Sequence, residues 1–173
     1  ILDFESLANH RGSSFGGLGM KEQPTNEQYE NNIAEDLSKF NKNNFIFVEA
    51  ESPNIGKNRI PHELYKKMSN SKRIEIIRDE NIRIKELINT YSKYPKNDLK
   101  ESVLKITKRL GPQRTKSAID SIENEDWENV CKFVLEYYDK CYEYELKNKE
   151  DVKILDMQQR SDQEIINEII KNV

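Results

Sequence analysis

The chain has 173 residues, a formal net charge of −3, 35% hydrophobic and 34% charged residues. That suits one domain with an appendage, with enough apolar material for a core beneath a heavily charged surface. The acidic balance excludes nucleic-acid binding driven by whole-molecule charge, so any such surface must be a local patch. No apolar run reaches the ~20 residues of a membrane span and no secretory leader is legible, so the expectation is a cytoplasmic protein with no membrane partner.

Ile1–Glu5, ILDFE, reads as a short buried strand. Leu7–Gly19, LANHRGSSFGGLG, follows as a polar loop whose glycines allow backbone N–H groups to approach a ligand closely. Within it Arg11 offers a planar fork that fits phosphate, Ser13 and Ser14 offer hydroxyl donors, and His10 can move a proton near neutral pH. From composition alone a solvated surface loop is the stronger reading, because the P-loop pattern GxxxxGK[ST] is absent.

Thr25 and Gln28 fit a capping box. Tyr29, Ile33, Leu37 and Phe40 then recur at spacings of four, four and three, the pattern of an amphipathic helix. Phe45–Ala50, FIFVEA, reads as a second buried strand, ending in Glu49, Glu51 and Ser52. Ligands of parallel α/β sheets bind at such strand ends, and an apolar strand ending in acids is similar to a Walker B element. The competing reading is an ordinary strand end with solvated acids. Lys57 and Arg59, in the loop Pro53–Ile60, are candidate phosphate contacts against the commoner case of exposed charges without a task. Pro61 opens a helix to about Ser69, and Arg73–Arg78, RIEIIR, reads as a third strand.

From Asp79 to Lys147 the pattern is helical. Ile82, Leu87, Ile88 and Tyr91 form one stripe. Asn97 is the expected cap of a second helix carrying Leu99, Val103, Ile106 and Leu110, stopped by Gly111-Pro112. A third helix runs from about Gln113 to Ile122. A long fourth starts near Asp126, with Trp127, Val130, Val134, Tyr138 and Tyr142 inward, and Tyr137 and Tyr144 on a neighbouring face as candidate base-stacking residues. Cys131 and Cys141, ten apart on that helix, stand about 15 Å apart, too far for a disulfide; both are assigned to packing. Val152–Asp156 reads as a last strand. Ser161 and Glu164 cap a final helix with Ile165, Ile166, Ile169 and Ile170.

Ile1–Gly16, ILDFESLANHRGSSFG, closely resembles the stretch LDLEGLANHRGSSFG of tRNA 2-selenouridine synthases. The likeness continues in the same order through QPTNEQYEN, VEAESPNIGKNRIP, KRLGPQR and LEYYDKCYEYEL, while Phe4, Ser6, Tyr29 and Ala50 replace a typical Leu, Gly, Phe and Asp. The resemblance implies an α/β fold with a largely parallel, P-loop-NTPase-like sheet lacking its first strand, followed by a helical subdomain. The expected parts are 1–78, a partial P-loop-type domain; 79–149, the helical subdomain; and 150–173, a strand and helix returning to the α/β domain. In the family a strand, a phosphate loop and a rhodanese domain with the catalytic cysteine precede the matched stretch, and neither Cys131 nor Cys141 matches that cysteine.

Functionally, the resemblance implies a cytoplasmic transferase that replaces sulfur by selenium in 2-thiouridine at the tRNA wobble position. Selenophosphate is the donor, and a geranylated intermediate forms from geranyl diphosphate. This chain alone is expected to be insufficient. The implied anion-binding set is His10, Arg11, Gly12, Ser13, Ser14, Glu49, Glu51, Ser52, Lys57 and Arg59, with His10 the one catalytic candidate. A bound nucleotide is left open, and no metal is assigned.

Lys105, Lys108, Arg109, Arg114 and Lys116 place five positive charges in KITKRLGPQRTK with no acid among them, the first three on one expected helix face. A charge run is usually a solvated face; the match to the family's KRRLGLQR-like segment makes this the expected tRNA-binding patch. A separate rhodanese protein is a further candidate partner. Two alternatives stay open: a non-catalytic tRNA-binding subunit serving such a partner, and a P-loop kinase-like phosphotransferase.

Overall fold

A computed structural model describes residues 1–147, 149 and 151–171. Residues 148, 150, 172 and 173, where the expected boundary at 149/150 and the chain end fall, lie outside the described residues. The architecture is mixed α/β, with many helices and a small parallel sheet, in two compact units, Ile1–Ser71 and Lys72–Val173.

The first unit holds α1 (Phe4–Ala8), α2 (Asn26–Ser38), β1 (Asn54–Ile55), β2 (Asn58–Arg59) and α3 (His62–Ser69). The two strands expected at Ile1–Glu5 and Phe45–Ala50 shrink to a single parallel bridge, Leu2 with Val48, where the Leu2 N–H donates to the Phe47 carbonyl at 2.9 Å. The cause at the first strand is Asp3. Its carboxylate accepts the Ser6 N–H at 2.7 Å, capping α1 and turning the chain out of the extended state. Phe45 and Ile46 are exposed, so FIFVEA is no buried strand. The helix expected after Thr25 forms: Thr25 Oγ1 accepts the Gln28 N–H at 3.2 Å, and Tyr29 and Ile33 are buried. They join Leu2, Phe4, Ala8, Ile55 and Ile60 in one core, with Leu37, Phe40, Val48 and Leu64 packed against it. β1 and β2 form a two-residue antiparallel hairpin that the pattern did not announce.

The second unit holds β3 (Arg73–Arg78), α4 (Glu80–Tyr91), α5 (Lys96–Lys105), α6 (Thr107–Leu110), α7 (Pro112–Glu123), α8 (Trp127–Leu146), β4 (Val152–Gln158) and α9 (Asp162–Lys171). β3, read from sequence as part of 1–78, pairs in parallel with β4, from Arg73 opposite Val152 to Arg78 opposite Gln158, and the division between the units precedes it. Leu155, Met157 and Ile165 form the core under this pair. Ser161 and Glu164 make the expected capping box, with the Ser161 N–H donating to Glu164 Oε2 at 2.8 Å.

The single helix expected over 97–110 is two. Ile106, at φ −103° and ψ 5°, breaks it, and the chain enters α5 at Pro95 rather than at Asn97. Gly111 adopts φ 91°, and Pro112 opens α7. On α8 the inward face is Val130, Val134 and Tyr137, while Tyr142 is 58% exposed; this reverses the expected roles of Tyr137 and Tyr142. Tyr137 lies seven residues beyond Val130, two full turns on the same face. Arg83 fixes α4 to α8 through a fork on Asp139, at 2.7 and 2.9 Å. Burial pushes the Cys131 thiol up to about 11, in keeping with a packing role. Among the described residues no helix is long and apolar enough to cross a membrane.

Candidate functional site

The Leu2–Val48 bridge sets Asp3–Glu5 beside Glu49–Glu51, and the Phe4 N–H donates to Glu49 Oε2 at 3.1 Å. α1 ends at Asn9, a left-handed residue (φ 50°) whose N–H closes on the Ser6 carbonyl at 3.1 Å. The chain then folds into a small knot. The Arg11 N–H donates to the Gly16 carbonyl at 3.0 Å, the Ser13 N–H to Arg11 at 2.7 Å and the Gly16 N–H to Ser13 at 2.9 Å. Arg11 Nη1 donates to the Leu18 carbonyl at 3.0 Å, and Phe15 is buried beneath. The loop is thus a built element, half-buried over His10–Ser14. Its amides at Arg11, Ser13 and Gly16 are bonded within it.

Gly12 shows why the loop and the acids meet. It has φ +68°, and a Cβ there would stand 2.8 Å from both carboxylate oxygens of Glu51 and 3.0 Å from Glu5 Oε1. The His10 ring is wedged between two other glycines: a Cβ at Gly16 would stand 2.8 Å from its Nδ1, and one at Gly56 2.8 Å from its Cδ2. Gln23 ties the surroundings together. Its Nε2 reaches the carbonyls of Ala8 at 3.1 Å and Ile55 at 2.9 Å and the Asn58 side chain at 2.9 Å, while its Oε1 accepts the Lys57 N–H at 2.8 Å. Buried Asn58 donates in turn to the Pro24 carbonyl at 3.1 Å.

These acids are half-buried. Burial, then the charges of Glu51 and Glu49, push the Glu5 carboxyl up to about 7. Burial also raises Glu49, against the opposing pull of its backbone N–H donors. The Tyr29 phenol is raised by burial and by Glu49 and Glu51. The Glu51 N–H bonds the Glu49 carbonyl at 2.9 Å, so the segment is turned rather than extended.

The structure therefore brings Gly12 to Glu51 and Glu5, with His10, Arg11, Ser13 and Ser14 in the same loop and Glu49 in the same acidic cluster. Ser52 is exposed, its hydroxyl donating to the Asn54 carbonyl at 2.7 Å. Lys57 and Arg59 are exposed on the β1–β2 hairpin, their backbones held by Gln23 and Asn26. Sequence reasoning passed over Glu5, Gln23 and Asn58. The signal was present: all three lie inside the family-like stretches quoted above.

In the second unit Lys105, Lys108, Arg109, Arg114 and Lys116 are all exposed. They do not share one helix face, because Lys105 ends α5 and Lys108 and Arg109 lie on α6. An acid also enters the patch from α8. Arg114 Nη2 stands 2.7 Å from Glu136 Oε1, which takes Lys140 at 2.8 Å as well. Arg109 Nη1 lies 3.4 Å from the Tyr137 hydroxyl. An open crevice of about 550 Å³ at the carboxyl end of β4, lined by Gln158, Gln159, Arg160 and Glu164 among others, contains none of the candidate anion- or tRNA-binding residues. Among the described residues no group of three or more His, Cys, Asp or Glu is placed to hold a metal ion.

Comparison with known proteins adds the following. The family model described as the tRNA 2-selenouridine synthase AAA domain matches residues 1–172. A protein of Shewanella frigidimarina (strain NCIMB 400) named tRNA 2-selenouridine synthase is 30% identical over 183 residues, covering 87% of this chain and 49% of that protein. One of the same name from Sulfurovum sp. (strain NBC37-1) is 32% identical over 176 residues, covering 84% and 48%. A third, from Nitrosomonas europaea (strain ATCC 19718), is 40% identical over 74 residues, covering 41% and 19%. The chain spans about half the length of the first two relatives. No solved structure matches it.

Proposed function

The chain belongs to the tRNA 2-selenouridine synthase AAA-domain family, and from that premise we propose that it is the anion- and tRNA-binding part of a cytoplasmic transferase. The transferase converts 2-thiouridine to 2-selenouridine at the tRNA wobble position with selenophosphate, through an intermediate made from geranyl diphosphate. The fold would be of the P-loop NTPase type. The His10–Ser14 loop binds the phosphate or diphosphate: Arg11 supplies a charged fork, and Ser13 and Ser14 supply hydroxyls.

The observation that carries this is the closed loop itself, held by the Arg11, Ser13 and Gly16 N–H groups, by Arg11 Nη1 on the Leu18 carbonyl and by buried Phe15. A loop already fixed in this way has lost the freedom that ligand binding would otherwise take from it. The test is incubation of the full-length protein with thiolated tRNA, selenophosphate and geranyl diphosphate, with and without a rhodanese protein. Nucleoside mass spectrometry should report selenouridine in at least one arm; none in either arm overturns the proposal.

The second unit supplies the tRNA surface. Of five cations, Arg114 is shared with Glu136, so about four phosphate contacts are expected. At ~0.7–0.9 per contact, the slope of log affinity against log salt is then roughly −3 to −4. Replacing Arg109 and Arg114 by Glu should weaken tRNA binding and flatten that slope by about 1, the share of the one counted contact it removes, while binding of small anions stays as in the parent. A salt series in which the double variant overlays the parent would reduce the patch to a solvated face.

A further inference from the structure

We propose that Glu5 and Glu51 share one proton across the face of Gly12, and that losing this proton weakens anion binding by the His10–Ser14 loop. The inference rests on the anion reading of that loop and adds its regulation. The geometry is specific. Both Glu51 oxygens and Glu5 Oε1 stand within 3.0 Å of the place a Gly12 side chain would take, so two carboxyl groups and the loop backbone meet at one point. Burial raises the Glu5 carboxyl first, and the charges of Glu51, Glu49 and Asp3 add to that. Two carboxylates so close cannot both ionise freely, so one holds a proton.

The groups facing this pair are Asp3 from the cap of α1, Glu49 beside Glu51, and the Tyr29 hydroxyl from α2, whose own shift answers to Glu49 and Glu51. With the proton the pair carries one negative charge, and without it two. An anion beside Gly12 is repelled less by the first state, so it binds that state better and raises the midpoint of the pair. The sign follows. Affinity is full below the free midpoint of about 7 and falls as pH rises through it. An anion that raises the midpoint by one unit binds about tenfold more tightly to the protonated pair.

The probe is inorganic sulfate, whose own charge is constant around neutrality, titrated into the full chain in EDTA at pH values from about 6 to about 9. The expected result is a fall in affinity of about tenfold. Glu5→Gln, which cannot lose the proton, should flatten the profile to within about twofold. A ¹³C titration of the Glu5 carboxyl in the parent gives a reading that does not depend on how the variants fold; a midpoint near 7 supports the shared proton. A carboxyl midpoint in the ordinary range near ~4.3 overturns it, as does a Glu5→Gln variant with the parent's pH profile. Sulfate bound with no pH dependence defeats this inference alone. No sulfate binding at any pH defeats it together with the anion reading.

Discussion

Phe4→Ala should destabilise the first unit by about 3–5 kcal/mol, the range for emptying a large aromatic site in a packed core. Phe4 is fully buried among Leu2, Tyr29, Ile33, Ile55 and Ile60. α1 has five residues, well short of the ~12–15 at which a helix is even marginal alone. It stays helical because Asp3 caps it and because Phe4 and Ala8 are buried. Glu5 rides on that helix, and the loop from His10 starts from its end, so the variant should lose anion binding along with stability. Hydrogen exchange at the amides of α2 would report the opening free energy of this unit separately from the second one. A loss below about 1 kcal/mol would mean that the core is not organised around Phe4.

Arg11→Ala should weaken pyrophosphate binding by about 1.5–3 kcal/mol, the worth of a hydrogen bond to a charged group, or roughly 10- to 150-fold. Arg11 does two things. Its Nη1 holds the Leu18 carbonyl at 3.0 Å, which fixes the far side of the loop. A planar guanidinium is a fixed fork of donors, the geometry that suits two oxygens of one phosphate. Lysine keeps the charge but replaces the fork with a point charge on a flexible stem. Arg11→Lys is therefore expected to fall nearer to Ala than to the parent. If lysine restores full affinity, charge alone suffices and the fork plays no part.

Elements set by local chemistry were legible in the sequence. The spacing of Tyr29 and Ile33 behind Thr25 gave α2, and Ser161 with Glu164 gave the start of α9. Elements set by distant partners were not. An apolar ILDFE looks like a strand until Asp3 is seen taking the Ser6 N–H, and Phe45 and Ile46 look like core until they are found exposed. RIEIIR was legible as a strand, but its partner lies near residue 155, so the unit it joins was not. On α8 two apolar stripes lie one residue apart in phase, and only packing shows that Tyr137, not Tyr142, is inside.

The candidate site divides the same way. The HRGS loop stood out by its resemblance to the family's stretch, since composition alone favoured a solvated surface loop. The raised Glu5 carboxyl did not, because it depends on Glu49 and Glu51, more than forty residues downstream. The acid-free count of KITKRLGPQRTK likewise missed Glu136, which reaches Arg114 from another helix.

The central claim is that the loop from His10 to Ser14 is a phosphate site. Its most direct test is calorimetric titration of inorganic pyrophosphate into the parent and the Arg11→Ala variant, side by side, in one buffer near neutral pH. The expected result is one saturable site in the parent and at least about tenfold weaker binding in the variant. Equal affinity in the two proteins would contradict the claim.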